Sequence, residues 1–259
     1  MEDLKKLFKN RFSDLLESEE LLSALLNEVF KRGTAYVVGG YLRDTLQSLP
    51  SRDIDFILEL SKFKFVDIVR DLGVDYTENR HGGVKVKLHS MSADFWSLED
   101  NWAFKNKLVK LNEADKLNSI AKGCFYNFDS LVINTCNYSY NVRYFNKWKD
   151  DKCLDILQRK SVYKNLNPTV EANIIRAVYL KFKYGVSFTD NTLVYIIEKL
   201  LSLKYRYNDE CERLLEIKQY YPKYNELDDQ SFLDLLDSIR KSTKLSNQLH
   251  LSFDSAVTD

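Results

Sequence analysis

The stretch VVGGYLRDTLQSLPSRDIDFIL, residues 37–58, carries more chemistry than any other part of the chain. Ala35-Tyr36-Val37-Val38 is a short β-branched and aromatic run that reads as a buried strand, and it enters the pair Gly39-Gly40. Two glycines directly after a strand let the backbone approach a phosphate closely, because no Cβ intervenes and positive φ is open to them. Residues 41–46 read as a helix running on toward Pro50, with first-turn amides aimed back at the glycines, and Arg43 one turn in adds a charge-assisted donor. Asp53-Ile54-Asp55-Phe56-Ile57-Leu58 reads as the next strand. A strand's period of two puts the carboxylates of Asp53 and Asp55 on one face, with Cα atoms about 7 Å apart.

Outward from this centre, residues 3–32 have helical periodicity in two segments, with Ser18 as N-cap of the second and Gly33 as its stop. A further helix is expected at 62–72, a turn at 79–83, and a half-buried strand in which Val84, Val86 and Leu88 alternate with Lys85, Lys87 and His89. Residues 93–98 are expected to be its hairpin partner. Helical periodicity then covers 168–185, 190–202, 207–221 and 229–240. The expected fold is therefore α+β: N-terminal helices (1–32) on a head domain with a small mixed sheet (33–140), then a mainly helical domain (141–259).

Composition limits the alternatives. The chain has 259 residues, 44% hydrophobic and 29% charged, enough for a sizeable core and unlike a disordered chain. Lys plus Arg and Asp plus Glu are 38 each, so a uniformly basic partner strategy is excluded while a local basic face is not. Cys124, Cys136, Cys153 and Cys211 follow no zinc or disulfide spacing, and His81, His89 and His250 follow no catalytic one. No P-loop or GxGxxG motif is present, and no apolar run is long enough for a membrane span. The N-terminus has no export signal, which gives a cytoplasmic expectation.

Two carboxylates on one strand face beside a phosphate cradle suit magnesium, with manganese as a substitute, since such ions prefer hard oxygen ligands and complete their shell with water and substrate phosphates. A third carboxylate on a neighbouring strand would complete a two-metal site, and Asp94 in SADFWSLED is the candidate. Trp96 and Trp102 flank it as candidate stacking rings, against the ordinary reading of both as core. The aromatic and basic segment 138–164 is a candidate RNA surface, although rings turned to the core and lysines turned to water explain it more simply.

The order strand, Gly39-Gly40-x-x-Arg43-Asp44, turn, Asp53-x-Asp55 resembles the class II tRNA nucleotidyltransferase and poly(A) polymerase head-domain family, within the polymerase-β-like nucleotidyltransferases. His81-Gly82-Gly83 before a strand, and Leu154-Asp155-Ile156-Leu157 followed by Asn167-Pro168 and Ile175-Arg176-Ala177-Val178, are similar to later parts of that family. The resemblance implies transfer of NMP from an NTP to an acceptor hydroxyl with loss of pyrophosphate. Asp53, Asp55 and Asp94 would be the catalytic, metal-holding residues, and Gly39, Gly40, Arg43, Asn127 and Arg176 would bind the nucleotide. It implies RNA with a tRNA-like 3′ end as acceptor.

Departures from the pattern go with it. Ala121-Lys122-Gly123 stands where CCA-adding enzymes have Arg-Arg-Asp, and Thr169-Val170 and Asn173 stand where they template the incoming base. With some 70 residues left after the resemblance stops, full CCA addition is not expected. A protein or small-molecule acceptor is the competing enzyme reading. A catalytically silent nucleotide-binding regulatory module is the reading from another class.

Overall fold

The computed structural model describes residues 2–79, 82–158 and 169–254, with residues 2, 3 and 242–254 as backbone alone. It divides into two compact units, 1–151 and 152–259. In the first, α1 (Glu2–Ser18) and α2 (Glu20–Phe30) precede β1 (Ala35–Val38), α3 (Gly40–Leu46), β2 (Asp53–Leu58) and α4 (Lys62–Asp71). There follow β3 (Tyr76–Glu78), β4 (Val84–Lys87), β5 (Ser92–Ser97), α5 (Trp102–Lys105), α6 (Lys116–Gly123), β6 (Val132–Asn134), β7 (Tyr140–Asn141) and α7 (Arg143–Asp151).

The seven strands form one sheet in the order β3-β4-β5-β2-β1-β6-β7. Only β2 and β5 run parallel among these pairs, joined through α4 and the β3–β4 strands, so the sheet is mixed as expected. The strand period of two sorts its side chains. On one face Ile54, Phe56, Ala93 and Phe95 are buried beneath the N-terminal helices and α4, with Phe95 stacked on Phe56 at 5.0 Å and met by Phe65 at 4.6 Å. Rings at this separation add to what their burial already contributes, about 1.5–3 kcal/mol for each Phe. On the other face Tyr36, Ile57 and Val132 pack against Ile120 and Ala121 of α6. The strand ends carrying Asp53, Asp55 and Asp94 extend that second face beyond this cluster.

Two sequence expectations change at the N-terminus. Ser18 is the last residue of α1, and Glu19 occupies the cap position of α2. Its buried carboxylate reaches across to the β4–β5 turn, accepting from the His89 amide at 2.8 Å, the Ser90 amide at 2.8 Å and the Ser90 hydroxyl at 2.6 Å. Gly33 lies just past the helix stop, which falls at Lys31. Its lack of a side chain answers to packing, since a Cβ there would sit 2.5 Å from the Glu59 carbonyl oxygen.

The second unit holds β8 (Cys153–Leu154) parallel to β9 (Ser187–Phe188), with α8 (Val170–Tyr184), α9 (Asp190–Lys204), α10 (Glu210–Gln219) and α11 (Asp229–Asp254). Side chains of Thr169, Thr189 and Asp209 cap α8, α9 and α10, which places these helices close to the periodicity-based ranges. Asp155 is tied to the cap of α9 by the Thr189 hydroxyl at 2.7 Å. No helix among the described residues is long and apolar enough to cross a membrane.

Candidate active site

The parallel pairing of β2 and β5 sets Asp55 directly beside Asp94, and Asp53 beside Ser92. Asp53 and Asp55 share a face by strand period, and register puts Asp94 on that face too. The third carboxylate expected from the sequence is thus a neighbour of the pair. A fourth, Asp129, is one that the sequence pattern does not single out. It closes a short 3-10 turn, Asn127–Asp129, and lies close enough to act on Asp55.

Burial is the largest influence on Asp55, followed by the negative charges of Asp94, Asp53 and Asp129, and together they push its carboxyl up to about 7. Lys85 of β4 opposes this. Its ammonium stands 3.0 Å from Asp94 Oδ2, across the antiparallel register that pairs the two residues. Among the described residues no three carboxylates converge tightly enough, as they stand, to enclose a cation. The donor set is nevertheless the kind a hard divalent ion takes: oxygen ligands on one face, crowded with like charge and short of counter-charge. By its chemistry the group fits magnesium.

At the end of β1, Gly39 has φ +71° and ψ −121°, which only glycine adopts cheaply, and it turns the chain into α3. Its amide donates to the Leu131 carbonyl at 3.0 Å, so that amide is committed to the fold. Gly40 differs. It has no positive φ, and a Cβ there would meet nothing closer than Arg43 Nη2 at 3.7 Å. Neither backbone nor packing demands glycine at 40, which leaves room there for an approaching ligand. Arg43 lies over the Phe128 ring at 3.9 Å and pairs with Asp129 at 2.9 Å, half-buried between them. Asp44 accepts from Ser51 at 2.8 Å, and Ser51 in turn accepts from Arg11 at 3.2 Å, an arrangement that fixes the loop delivering Asp53.

Trp96 shares the face of Asp94, two residues further along β5. Its indole lies over Gly83, where a Cβ would come within 2.9 Å of the ring. Trp102 is half-buried and packs on Phe125 at 6.2 Å. Asn127 is fully buried, and its carbonyl accepts from Ser130 Oγ at 2.6 Å. Arg176 belongs to α8 of the second unit, outside the group assembled within the first. His81, Asn167 and Pro168 lie outside the described residues. Of the segment 138–164, residues 159–164 lie outside the described residues; in the rest the rings of Phe145 and Trp148 are buried, those of Tyr140 and Tyr144 are half-exposed, and Lys147 and Lys149 face water.

No family model matches the sequence, and no curated protein matches it. Solved structures do match. A CCA-adding enzyme in complex with CTP superposes with a TM-score of 0.62 at 15% identity, covering 92% of this chain and 55% of the other. The Thermotoga maritima CCA-adding enzyme in complex with tRNA gives 0.62 at 16%, covering 92% and 54%. A tRNA nucleotidyltransferase complexed with a primer tRNA and an incoming ATP analog gives 0.56 at 16%, covering 84% and 60%. The chain thus has the fold of a CCA-adding head with helices following, and it spans little more than half the length of these neighbours.

Proposed function

We propose that the protein is a metal-dependent nucleotidyltransferase that moves NMP from an NTP to an acceptor hydroxyl, with RNA bearing a tRNA-like 3′ end as the acceptor. The observation that carries this reading is the Asp55–Asp94 register, which gathers three carboxylates on the sheet face beside Gly39-Gly40. The CCA-adding fold and the nucleotide and tRNA complexes of its structural neighbours support the choice of substrates.

Magnesium held by Asp53, Asp55 and Asp94 would supply charge neutralisation at the transferring phosphoryl group and at the leaving pyrophosphate. The chain's own residues do the rest. The open space at Gly40 admits the triphosphate close to the backbone. Arg43, held by Asp129 and Phe128, keeps a guanidinium near the same turn. Asp94 stands on the far side of Asp55 from the glycines, and in this reading it would accept the proton of the acceptor hydroxyl as it attacks the α-phosphorus.

Pyrophosphate release is the direct test. The protein is incubated with each NTP, magnesium and total RNA, beside Asp53→Ala/Asp55→Ala. Release confined to the intact pair and abolished by chelation is expected. Release that survives the double substitution, or none with any NTP from folded protein, rejects the proposal.

A further inference from the structure

Beyond the carboxylates, the same sheet face changes sign. Lys85 and Lys87 alternate on β4 with the buried Val84 and Val86, so both ammonium stems stand on the face of Asp94. With Arg52, Thr77, His89 and Asp75 they line an open cleft of about 620 Å³ at the outer edge of the sheet. The lining holds three cations, Arg52, Lys85 and Lys87, against Asp75, and of the three Lys85 is paired with Asp94 at the margin of the cleft. The turn flooring this cleft is fixed from below by Glu19, which binds the amides of His89 and Ser90, so the cleft is built into the fold.

We infer that this cleft seats the phosphodiester backbone of a single-stranded RNA acceptor, with Lys85, Lys87 and Arg52 as its phosphate contacts. The inference rests on the nucleotidyl-transfer reading and adds direction to it. Strand order sets that direction: Gly39-Gly40 follow β1 on one side of β2, whereas Asp94 and then Lys85 and Lys87 lie on the other. In-line displacement needs the attacking and leaving oxygens on opposite sides of the phosphorus. A triphosphate at the glycines therefore sends pyrophosphate toward β1, and the acceptor enters over β5 from β4. Two cations at strand period, about 7 Å apart, suit a repeating polyanion better than one compact phosphate group. Lys85, which pairs with Asp94 here, needs only to swing its flexible stem to meet a phosphate.

Fluorescence anisotropy with a short labelled oligouridylate tests this, using the full chain in magnesium at several salt concentrations. Equilibrium dialysis of labelled ATP runs in parallel, and melting curves confirm that each variant is folded. Lys85→Gln/Lys87→Gln should weaken RNA binding at least tenfold and lower the salt slope by about 1.4, at about 0.7 for each single-strand phosphate no longer neutralised. Lys87→Gln/Arg52→Gln, which leaves the Asp94 ion pair alone, should act in the same direction with ATP binding unchanged. RNA binding indifferent to both pairs overturns the inference. So does a fall in ATP rather than RNA binding, which would make the cleft a triphosphate seat. ATP binding with no RNA binding by the unaltered protein overturns it too and leaves nucleotidyl transfer standing; failure of pyrophosphate release with every NTP and acceptor is what removes that reading.

Discussion

Replacing Asp55 by Asn separates what the site costs the fold from what it does. In the folded protein its carboxyl is raised from an ordinary 3.8 to about 7, by burial first and then by Asp94, Asp53 and Asp129. A raised carboxyl binds its proton more tightly in the folded than in the unfolded chain. Stability is therefore unaffected below about pH 4, falls as pH rises from about 4 to about 7, and stays reduced above. That difference corresponds to ~4 kcal/mol as a ceiling. The Asp55 side chain keeps a partly open edge, and solvent there reduces the expected effect to about 2 kcal/mol. Asparagine keeps the shape and removes the charge. Urea unfolding in EDTA at about pH 4 and about pH 8 should show Asp55→Asn gaining about 2 kcal/mol on the unaltered protein at the higher pH and almost nothing at the lower. Adding magnesium at the higher pH should raise the stability of the unaltered protein and leave the variant nearly unmoved. A variant no more stable than the original at the higher pH would refute the claim that like charge is crowded at this site.

Glu19→Gln should destabilise the protein by about 2–3 kcal/mol in thermal melts, since a buried charged acceptor of two amides and a hydroxyl is lost. Burial alone would raise this carboxyl, but the Ser90 hydroxyl, the Ser90 and His89 amides and the nearby His89 imidazole hold it below its usual range. Its stabilisation is therefore full above the ordinary carboxylate pKa and lost as pH falls through the lowered one, and the difference from Gln should shrink on acidification. Gly33→Ala and Gly40→Ala should part company. The first should cost about 1–3 kcal/mol in denaturant titration, because its Cβ meets the Glu59 backbone at 2.5 Å. The second should melt within about 1 kcal/mol of the original, as Ala suits a helix start better than Gly, yet lose NTP binding measured by equilibrium dialysis.

The sequence made the head legible where local pattern and tertiary demand agree. Alternation in 53–58 and 84–88 exposed both strands, and the hairpin expected at 93–98 is the one that brings Asp94 to Asp55. The short β3 strand, Tyr76–Glu78, is hidden because three residues give too little alternation to stand out from a loop. Asp129 is hidden for another reason. Its position depends on the turn after α6 folding back on Arg43, and spacing does not report contacts across 86 residues. Glu19 beside Ser18 looks like helix-start chemistry, and only the tertiary placement of the β4–β5 turn shows that its carboxylate serves another element. Glycine patterns are the least separable from sequence alone: Gly33, Gly39 and Gly40 all follow or precede β1, yet close packing accounts for the first, backbone conformation for the second, and neither for the third.

Label transfer into RNA puts the proposed chemistry and its acceptor to the sharpest test. The protein is incubated with magnesium and each α-labelled NTP in the presence of total RNA, intact or with its 3′-terminal diol oxidised by periodate, beside Asp53→Ala/Asp55→Ala. Label is expected on intact RNA, none on oxidised RNA and none with the double variant. Label that appears on protein instead, or on RNA regardless of the 3′ end or of the Asp pair, would show that the Asp53–Asp55–Asp94 face does not extend an RNA 3′ hydroxyl.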